Sequence, residues 1–88
     1  MPYIRREKRS KVDKVLDPLI EYLRTLSVEE QDGVMNYVMS KMVWQIYPQK
    51  YFHFNRALGV LTAVTHELYR RIIGPFEDTM IKERGDIV

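Results

Sequence analysis

The residues best equipped for chemistry lie near the end of the chain, in ELYRRIIGPFEDTMIKERGD, residues 67–86. Its two adjacent arginines could bind a phosphate or a carboxylate, because a guanidinium offers several N–H donors in a fixed fork. The carboxylates that follow could bind a cation or a basic partner. The candidate anion-binding or partner-binding residues are His66, Arg70, Arg71, Glu77, Asp78 and Asp86.

A structural role explains much of the same charge. Glu67 precedes Arg71 by four residues, which is a favourable order for an ion pair within a helix. Glu77 and Asp78 follow a Gly-Pro step, where acidic side chains suit the positive end of a new helix. We therefore favour a network of these charges that fixes the angle between two helices over an anion site.

A magnesium enzyme is an alternative, since Mg²⁺ prefers carboxylate ligands. The Glu-x-x-Asp spacing of Glu83 and Asp86, with Glu77 and Asp78 nearby, resembles one half of the site of the all-helical MazG-like nucleotide pyrophosphohydrolases. That resemblance implies Mg²⁺ and nucleotide hydrolysis, but the upstream Glu-x-x-Glu of those enzymes is missing. We predict no catalytic residue, no metal site and no cofactor, with Mg²⁺ entering only under this alternative.

The N-terminal end is basic. Residues 1–14 contain six Lys or Arg and two Asp or Glu, whereas the whole chain has a formal net charge of +2. Basic residues clustered in a flexible segment bind phosphates without reading sequence, although they also serve simply as a solvated terminus. The candidate nucleic-acid contacts are Arg5, Arg6, Lys8, Arg9 and Lys11.

The composition restricts the class of protein. A chain of 88 residues is one domain with a thin core, and 45% apolar residues are typical of a folded protein. The absence of cysteine excludes disulfides and thiolate sites, which leaves self-association as a source of extra stability. We see no apolar run long enough for a membrane span and no signal peptide, so we expect no membrane association and a cytoplasmic location.

Helical signals recur along the chain. The first helix is predicted to begin with Asp17 as N-cap and Pro18 at its first position, or else to start near Val12 and to kink at Pro18. SVEE at 27–30 is a capping box that begins a second helix, which should run to about Tyr47 because Pro48 cannot continue it.

The third predicted helix runs from about Tyr51 to Ile73. Gly74 is predicted to end it, and Pro75 to open a fourth helix that Gly85 caps. The sequence therefore predicts an all-α fold, a small antiparallel bundle of about four helices with a basic flexible N-terminal arm. The arm covers residues 1–11, and a single helical domain covers residues 12–88.

The second helix indicates an interface. Ten of the fourteen residues from Val34 to Tyr47 are apolar, and a helix that is apolar nearly all round is central or is covered by a second copy. Aromatic residues, which are enriched at the centres of interfaces, cluster around the junction with the third helix. They are Tyr37, Trp44, Tyr47, Tyr51 and Phe52. We therefore predict a homodimer.

Four segments resemble a family of short uncharacterised proteins found in tailed phages and in bacteria. They are NYV at 36–38, FNRALGVL at 54–61, ELYRR at 67–71 and PFEDTMIKERGDI at 75–87, and the opening MPYI agrees with them. The resemblance implies a helical cytoplasmic protein and carries no catalytic role. Members often have Lys where Met80 stands and Asn where Arg84 stands.

These observations favour a small cytoplasmic accessory protein of phage-like origin. We predict that it acts by protein binding or self-association rather than by catalysis. A MazG-like hydrolase and a nonspecific nucleic-acid-binding protein are the two alternatives.

Overall fold

All regular elements of the described residues are helical, as the sequence predicts. The computed structural model describes residues 3–88, and it contains no strand over that range. The elements are helix α1 at Arg6–Arg24, helix α2 at Val28–Ile46, helix α3 at Tyr51–Leu68, a π-helical turn at Tyr69–Ile73 and helix α4 at Gly74–Arg84. Since the last three elements adjoin, they form one helical run, and residues 3–88 therefore contain three runs rather than four helices.

Helix α1 begins earlier than its predicted N-cap. It starts at Arg6 and passes through Pro18, so the prediction of Asp17 as the N-cap is wrong. The longer helix considered as an alternative is the one present, and it extends further still towards the N-terminus. Apolar residues at helical spacing on both sides of Pro18 explain this continuity, because a proline removes only one backbone hydrogen bond while the stripe keeps its packing.

The basic N-terminal segment is helical over most of its length. Residues 6–11, predicted to belong to a flexible arm, form the first turns of α1. Arg9 donates a hydrogen bond from Nε to the carbonyl oxygen of Ile4 at 2.9 Å, which ties the residues before the helix to its first turns. Residues 1 and 2, which belong to the predicted arm and to the MPYI opening, lie outside the described residues.

Helix α2 begins and ends as predicted. The Ser27 hydroxyl accepts the backbone N–H of Glu30 at 3.3 Å, and the Glu30 carboxylate accepts the backbone N–H of Ser27 at 3.2 Å. This is the reciprocal capping box that satisfies two otherwise unpaired donors at a helix start. At the other end, Tyr47 turns to extended backbone with ψ 134°, as expected for the residue before a proline.

The chain does not break at Gly74 and Pro75. Gly74 has helical angles, φ −56° and ψ −53°, and its N–H donates to the carbonyl of Tyr69, five residues earlier. The predicted helix end at Gly74 is therefore wrong. A proline inside an α-helix crowds the carbonyl four residues before it, and the wider π turn just before Pro75 relieves that crowding without ending the helix.

Helix α4 ends where the sequence predicts. Gly85 has φ 92° and donates its N–H to the carbonyl of Ile81 at 2.8 Å. A side chain at this φ would strain the backbone, which explains the choice of glycine. Among the described helices, none is both long and apolar enough to cross a membrane.

The described residues divide into two compact units, 3–57 and 58–88. In unit 3–57, α1 contacts α2 along a half-buried stripe that includes Leu19 and Leu23 on α1 and Val34 and Val38 on α2. The Gln31 side-chain amide adds a hydrogen bond to the carbonyl of Leu23 at 3.0 Å. Across residues 3–88 the only fully buried residue is Ala57, so neither unit has a closed hydrophobic core of its own.

Candidate functional site

The arginine pair is divided between two roles. Arg70 forms an ion pair with Glu67 three residues earlier, and a second hydrogen bond joins its Nε to Oε2 of Glu67 at 3.4 Å. Arg71 is exposed and has no ion pair with any described residue. The expected Glu67–Arg71 pair is therefore wrong, because the geometry at the end of α3 brings the i,i+3 arginine to Glu67 instead.

The acidic pair does not return to the arginines. Glu77 and Asp78 are exposed on α4, and neither forms an ion pair within residues 3–88. Because the helix continues through Gly74, about 9 Å of helix axis separates Arg71 from Glu77. No turn exists to fold the charges together, so the expected network between a third and a fourth helix is wrong.

The other predicted residues of this stretch lie apart. His66 is exposed one turn before Arg70 on the outer face of α3. The Asp86 carboxylate accepts the backbone N–H groups of Ile87 at 2.7 Å and Val88 at 3.3 Å, a local turn that accounts for its position. Asp86 also borders a shallow cavity of about 330 Å³ with Glu77 and Arg84, between α4 and the C-terminal tail.

The carboxylates do not assemble into a metal site over the part of the chain that the structure describes. No group of three or more His, Asp or Glu side chains there is close enough to hold a metal ion. Glu77, Asp78, Glu83 and Asp86 belong to one short helix and its tail, where helical spacing points them in different directions. The MazG-like alternative gains no geometric support.

The basic residues near the N-terminus are distributed around a helix. Arg6, Lys8 and Lys11 are exposed on the first turns of α1. Lys8 and Lys11 are three residues apart and are neighbours on the helix surface, whereas Arg6 lies further round the helix. Arg5 is the exposed N-cap residue, and Arg9 is half-buried against the carbonyl of Ile4. Binding of nucleic acid by these positions stays a prediction.

Helix α2 of unit 3–57 exposes a row of large apolar side chains. We define the α2 apolar surface as the exposed large apolar side chains of α2 from residue 35 onward. Each of them is 41–65% exposed. They are Met35, Tyr37, Met39, Met42, Trp44 and Ile46. Part of this surface lines a groove of about 330 Å³ that Leu19 of α1 closes on one side.

Cations and rings are organised around this surface. The Lys41 ammonium lies 5.5 Å from the ring centroid of Tyr37, and the Arg56 guanidinium lies 5.4 Å from that of Tyr47. Both distances are within the range of cation–π attraction. Trp44 stacks on Phe54 with centroids 6.0 Å apart and an interplanar angle of 11°.

The aromatic cluster predicted around this junction stays a prediction, and Trp44 stacks on a residue outside it. Tyr51 and Phe52 stay largely exposed, while Phe54, which is not among the predicted aromatic residues, stacks on Trp44. The signal was present, because Trp44 and Phe54 flank the four residues between α2 and α3, and a short connection brings such neighbours together.

The residue pattern of the whole chain, and not of this surface alone, matches a known family. A family described as a domain of unknown function, DUF6899, matches residues 1–87. The chain belongs to this family. The match confirms the expectation of an uncharacterised family, whereas the occurrence in phages and bacteria stays a prediction. Comparison with curated proteins found no match, and comparison with solved structures found none either. The DUF6899 assignment therefore brings no activity and no ligand to the site.

Proposed function

We propose that this DUF6899 protein is a small interaction protein that acts by self-association, with a homodimer as its working form. The observation that carries the proposal is the burial pattern. Over residues 3–88, Ala57 is the only residue that is fully buried, although 45% of the chain is apolar. A domain of this length normally buries roughly 60–65% of the surface of its unfolded chain.

Apolar side chains exposed to water raise the free energy of the folded chain relative to a state in which another surface covers them. Burial contributes about 25 cal/mol per Å² of apolar area, and apolar patches beyond a few hundred Å² on soluble proteins mark interaction sites. The α2 apolar surface is rich in methionine and aromatic residues, which are enriched in interfaces. A second copy of the chain presents the same uncovered surface and can cover it.

Measurement of the solution mass tests the proposal directly. Sedimentation equilibrium over the micromolar range should give a mass twice the monomer mass of 10.6 kDa. A mass of 10.6 kDa at every concentration would contradict self-association.

A matched pair of variants tests whether the α2 apolar surface takes part. Tyr37→Lys places a charge on this surface, while Asn36→Lys places the same charge on the neighbouring exposed position of the same helix. We expect the first variant to weaken association by at least tenfold and the second to leave it unchanged. Equal dimer masses for both variants would remove α2 from the interface and leave self-association itself standing.

The finer parts of this proposal are a cytoplasmic location, a phage-like origin and a role as an accessory to another protein. The hydrolase and nucleic-acid alternatives remain predictions, and no observation in unit 3–57 or unit 58–88 favours either of them.

A further inference from the structure

Unit 58–88 is a single helical run that carries an apolar stripe. Its residues follow the alternating three- and four-residue spacing of a heptad repeat: Leu58, Leu61, Thr65, Leu68 and Ile72. Leu58 and Ile72 are each 60% exposed. Since the unit contains no second helix, nothing within it covers this stripe.

The π turn keeps the stripe continuous past Gly74. After Ile72 the next apolar positions are Phe76 and Met80, so the interval from Ile72 to Phe76 is one residue longer than a heptad requires. In a straight α-helix one extra residue would rotate everything that follows by about 100°. A π turn accommodates one additional residue in its turn, and the turn at Tyr69–Ile73 therefore returns Phe76 and Met80 to the same face.

The residue types at these positions fit a coiled coil of two helices. In heptad terms, Leu58, Thr65, Ile72 and Met80 occupy a positions, while Leu61, Leu68 and Phe76 occupy d positions. In parallel coiled coils, β-branched residues at a with leucine at d favour two strands, and Thr65 and Ile72 at a follow this pattern with Leu61 and Leu68 at d. The Thr65 hydroxyl donates to the Leu61 carbonyl at 3.1 Å within its own helix, so it needs no partner across the pair.

Two charged residues beside the a and d positions are complementary to those of a second copy of this chain. Arg71 directly precedes the a residue Ile72, and Glu77 directly follows the d residue Phe76, which makes them g and e positions. In a parallel pair the g residue of one helix meets the e residue of the next heptad on the other, and here the two charges are opposite. Both are exposed and without an ion pair among residues 3–88.

An antiparallel pair would not use these charges. There, g positions meet g positions and e positions meet e positions, and the other flanking residues from 58 to 80 are uncharged: Thr62, Val64, Tyr69 and Thr79. We propose that residues 58–80 form a parallel two-stranded coiled coil with a second copy of this chain, in which Arg71 pairs with the partner's Glu77. This inference rests on the proposed self-association and adds residues 58–80 to the α2 apolar surface as a segment that takes part in it.

Charge reversal tests the pairing. Arg71→Glu and Glu77→Arg each turn two symmetric attractions into repulsions, and each should raise the dimer dissociation constant on the order of tenfold. The double variant R71E/E77R should restore it, and an equimolar mixture of the two single variants should form heterodimers. Asp78→Arg makes the same change of charge on the outer face and should have little effect. Loss of affinity without rescue in the double variant would overturn the pairing.

Cysteine crosslinking tests the orientation, because the chain has no cysteine of its own. In a parallel pair Thr65 meets its own counterpart, so Thr65→Cys should form an intermolecular disulfide on mild oxidation, while His66→Cys on the outer face should not. A dimer mass with no crosslink at position 65 would overturn the coiled coil, whether the copies pair antiparallel or through α2, and would leave the proposed function intact. A monomer mass for the unmodified chain would overturn both.

Discussion

The two units differ in how their helices are supported. In unit 3–57, α2 starts with a complete capping box, α1 contacts α2, and Trp44 stacks on Phe54. Unit 58–88 has one helical run, and its large apolar residues from Leu58 to Phe76 are exposed apart from Leu61. The first unit therefore has stabilising contacts within the chain, whereas the second has few beyond those of the helix itself.

This difference matters because an isolated helix is marginal in water. Most of the stability of a protein helix comes from packing of its apolar face, and backbone propensity alone does not suffice. The helical run of unit 58–88 contains two glycines, Gly59 and Gly74, and the proline Pro75, and these residues lower its helix propensity further. Its helicity should therefore depend on a second molecule in a way that the helicity of unit 3–57 does not.

The largest expected difference between the units is in the free energy of unfolding lost when one leucine in each is replaced by alanine. Leu23→Ala removes contacts on the half-buried stripe of α1 and should lower the free energy of unfolding by about 2 kcal/mol, at the low end for such changes because the site is only partly buried. Leu68→Ala, at a position that is 52% exposed within the chain, should cost a similar amount only in the dimer.

Urea unfolding at several protein concentrations measures both effects. The cost of Leu23→Ala should not change with concentration, while the cost of Leu68→Ala should be largest where the dimer is populated. His66→Ala, on the outer face of the same helix, is the matched control for position 68. If Leu68→Ala proved as harmless as this control at every concentration, unit 58–88 would not depend on a second molecule for its stability.

Sequence reasoning succeeded where the signal was local. The capping box at Ser27, the stop before Pro48 and the end at Gly85 depend on residues a few positions apart, and all three are confirmed. Reasoning failed at Asp17-Pro18 and at Gly74-Pro75, where a local helix breaker opposes a longer apolar pattern. In both places the longer pattern wins, once in an α-helix and once with the help of a π turn.

The candidate charges at 67–86 show the same limit. Their types were read correctly, but their relation depended on the assumed turn at Gly74, and without that turn Arg71 and Glu77 lie on one continuous helix. The heptad spacing alone would not have carried the apolar stripe across Gly74, because the interval from Ile72 to Phe76 is one residue too long and the π turn that absorbs it was not predicted from the sequence. The stack of Trp44 on Phe54 could have been predicted, because it needs only a short connection between two helices.

A smaller loss of stability is expected when the cap of helix α2 in unit 3–57 is removed. Ser27→Ala removes the hydroxyl that accepts the Glu30 N–H, and loss of such an N-cap costs about 1 kcal/mol. The loss should appear in the free energy of unfolding at every protein concentration, because the cap contacts no other molecule. Ser40→Ala, at an exposed position inside the same helix, should be neutral or slightly stabilising. A Ser27→Ala effect no larger than that of Ser40→Ala would mean that α2 does not depend on its cap.

The pH dependence of this cap is the smallest expected effect and the most specific one. The Ser27 hydroxyl and the Ser27 backbone N–H donate to the Glu30 carboxylate at 2.9 and 3.2 Å, and they lower the pKa of Glu30 below its ordinary value of 4.5. A carboxyl whose pKa is lower in the folded state stabilises the fold above its unfolded pKa and loses that contribution as the pH falls through the folded value.

The stability difference between the natural chain and Ser27→Ala should therefore be constant from neutral pH to about 4.5 and should shrink at lower pH. It should not vanish, since the Ser27 hydroxyl can still accept the Glu30 N–H when the carboxyl is protonated. A difference that stayed constant below this range would show that Glu30 does not contribute to the cap as a carboxylate, and the support of α2 would then rest on the serine alone.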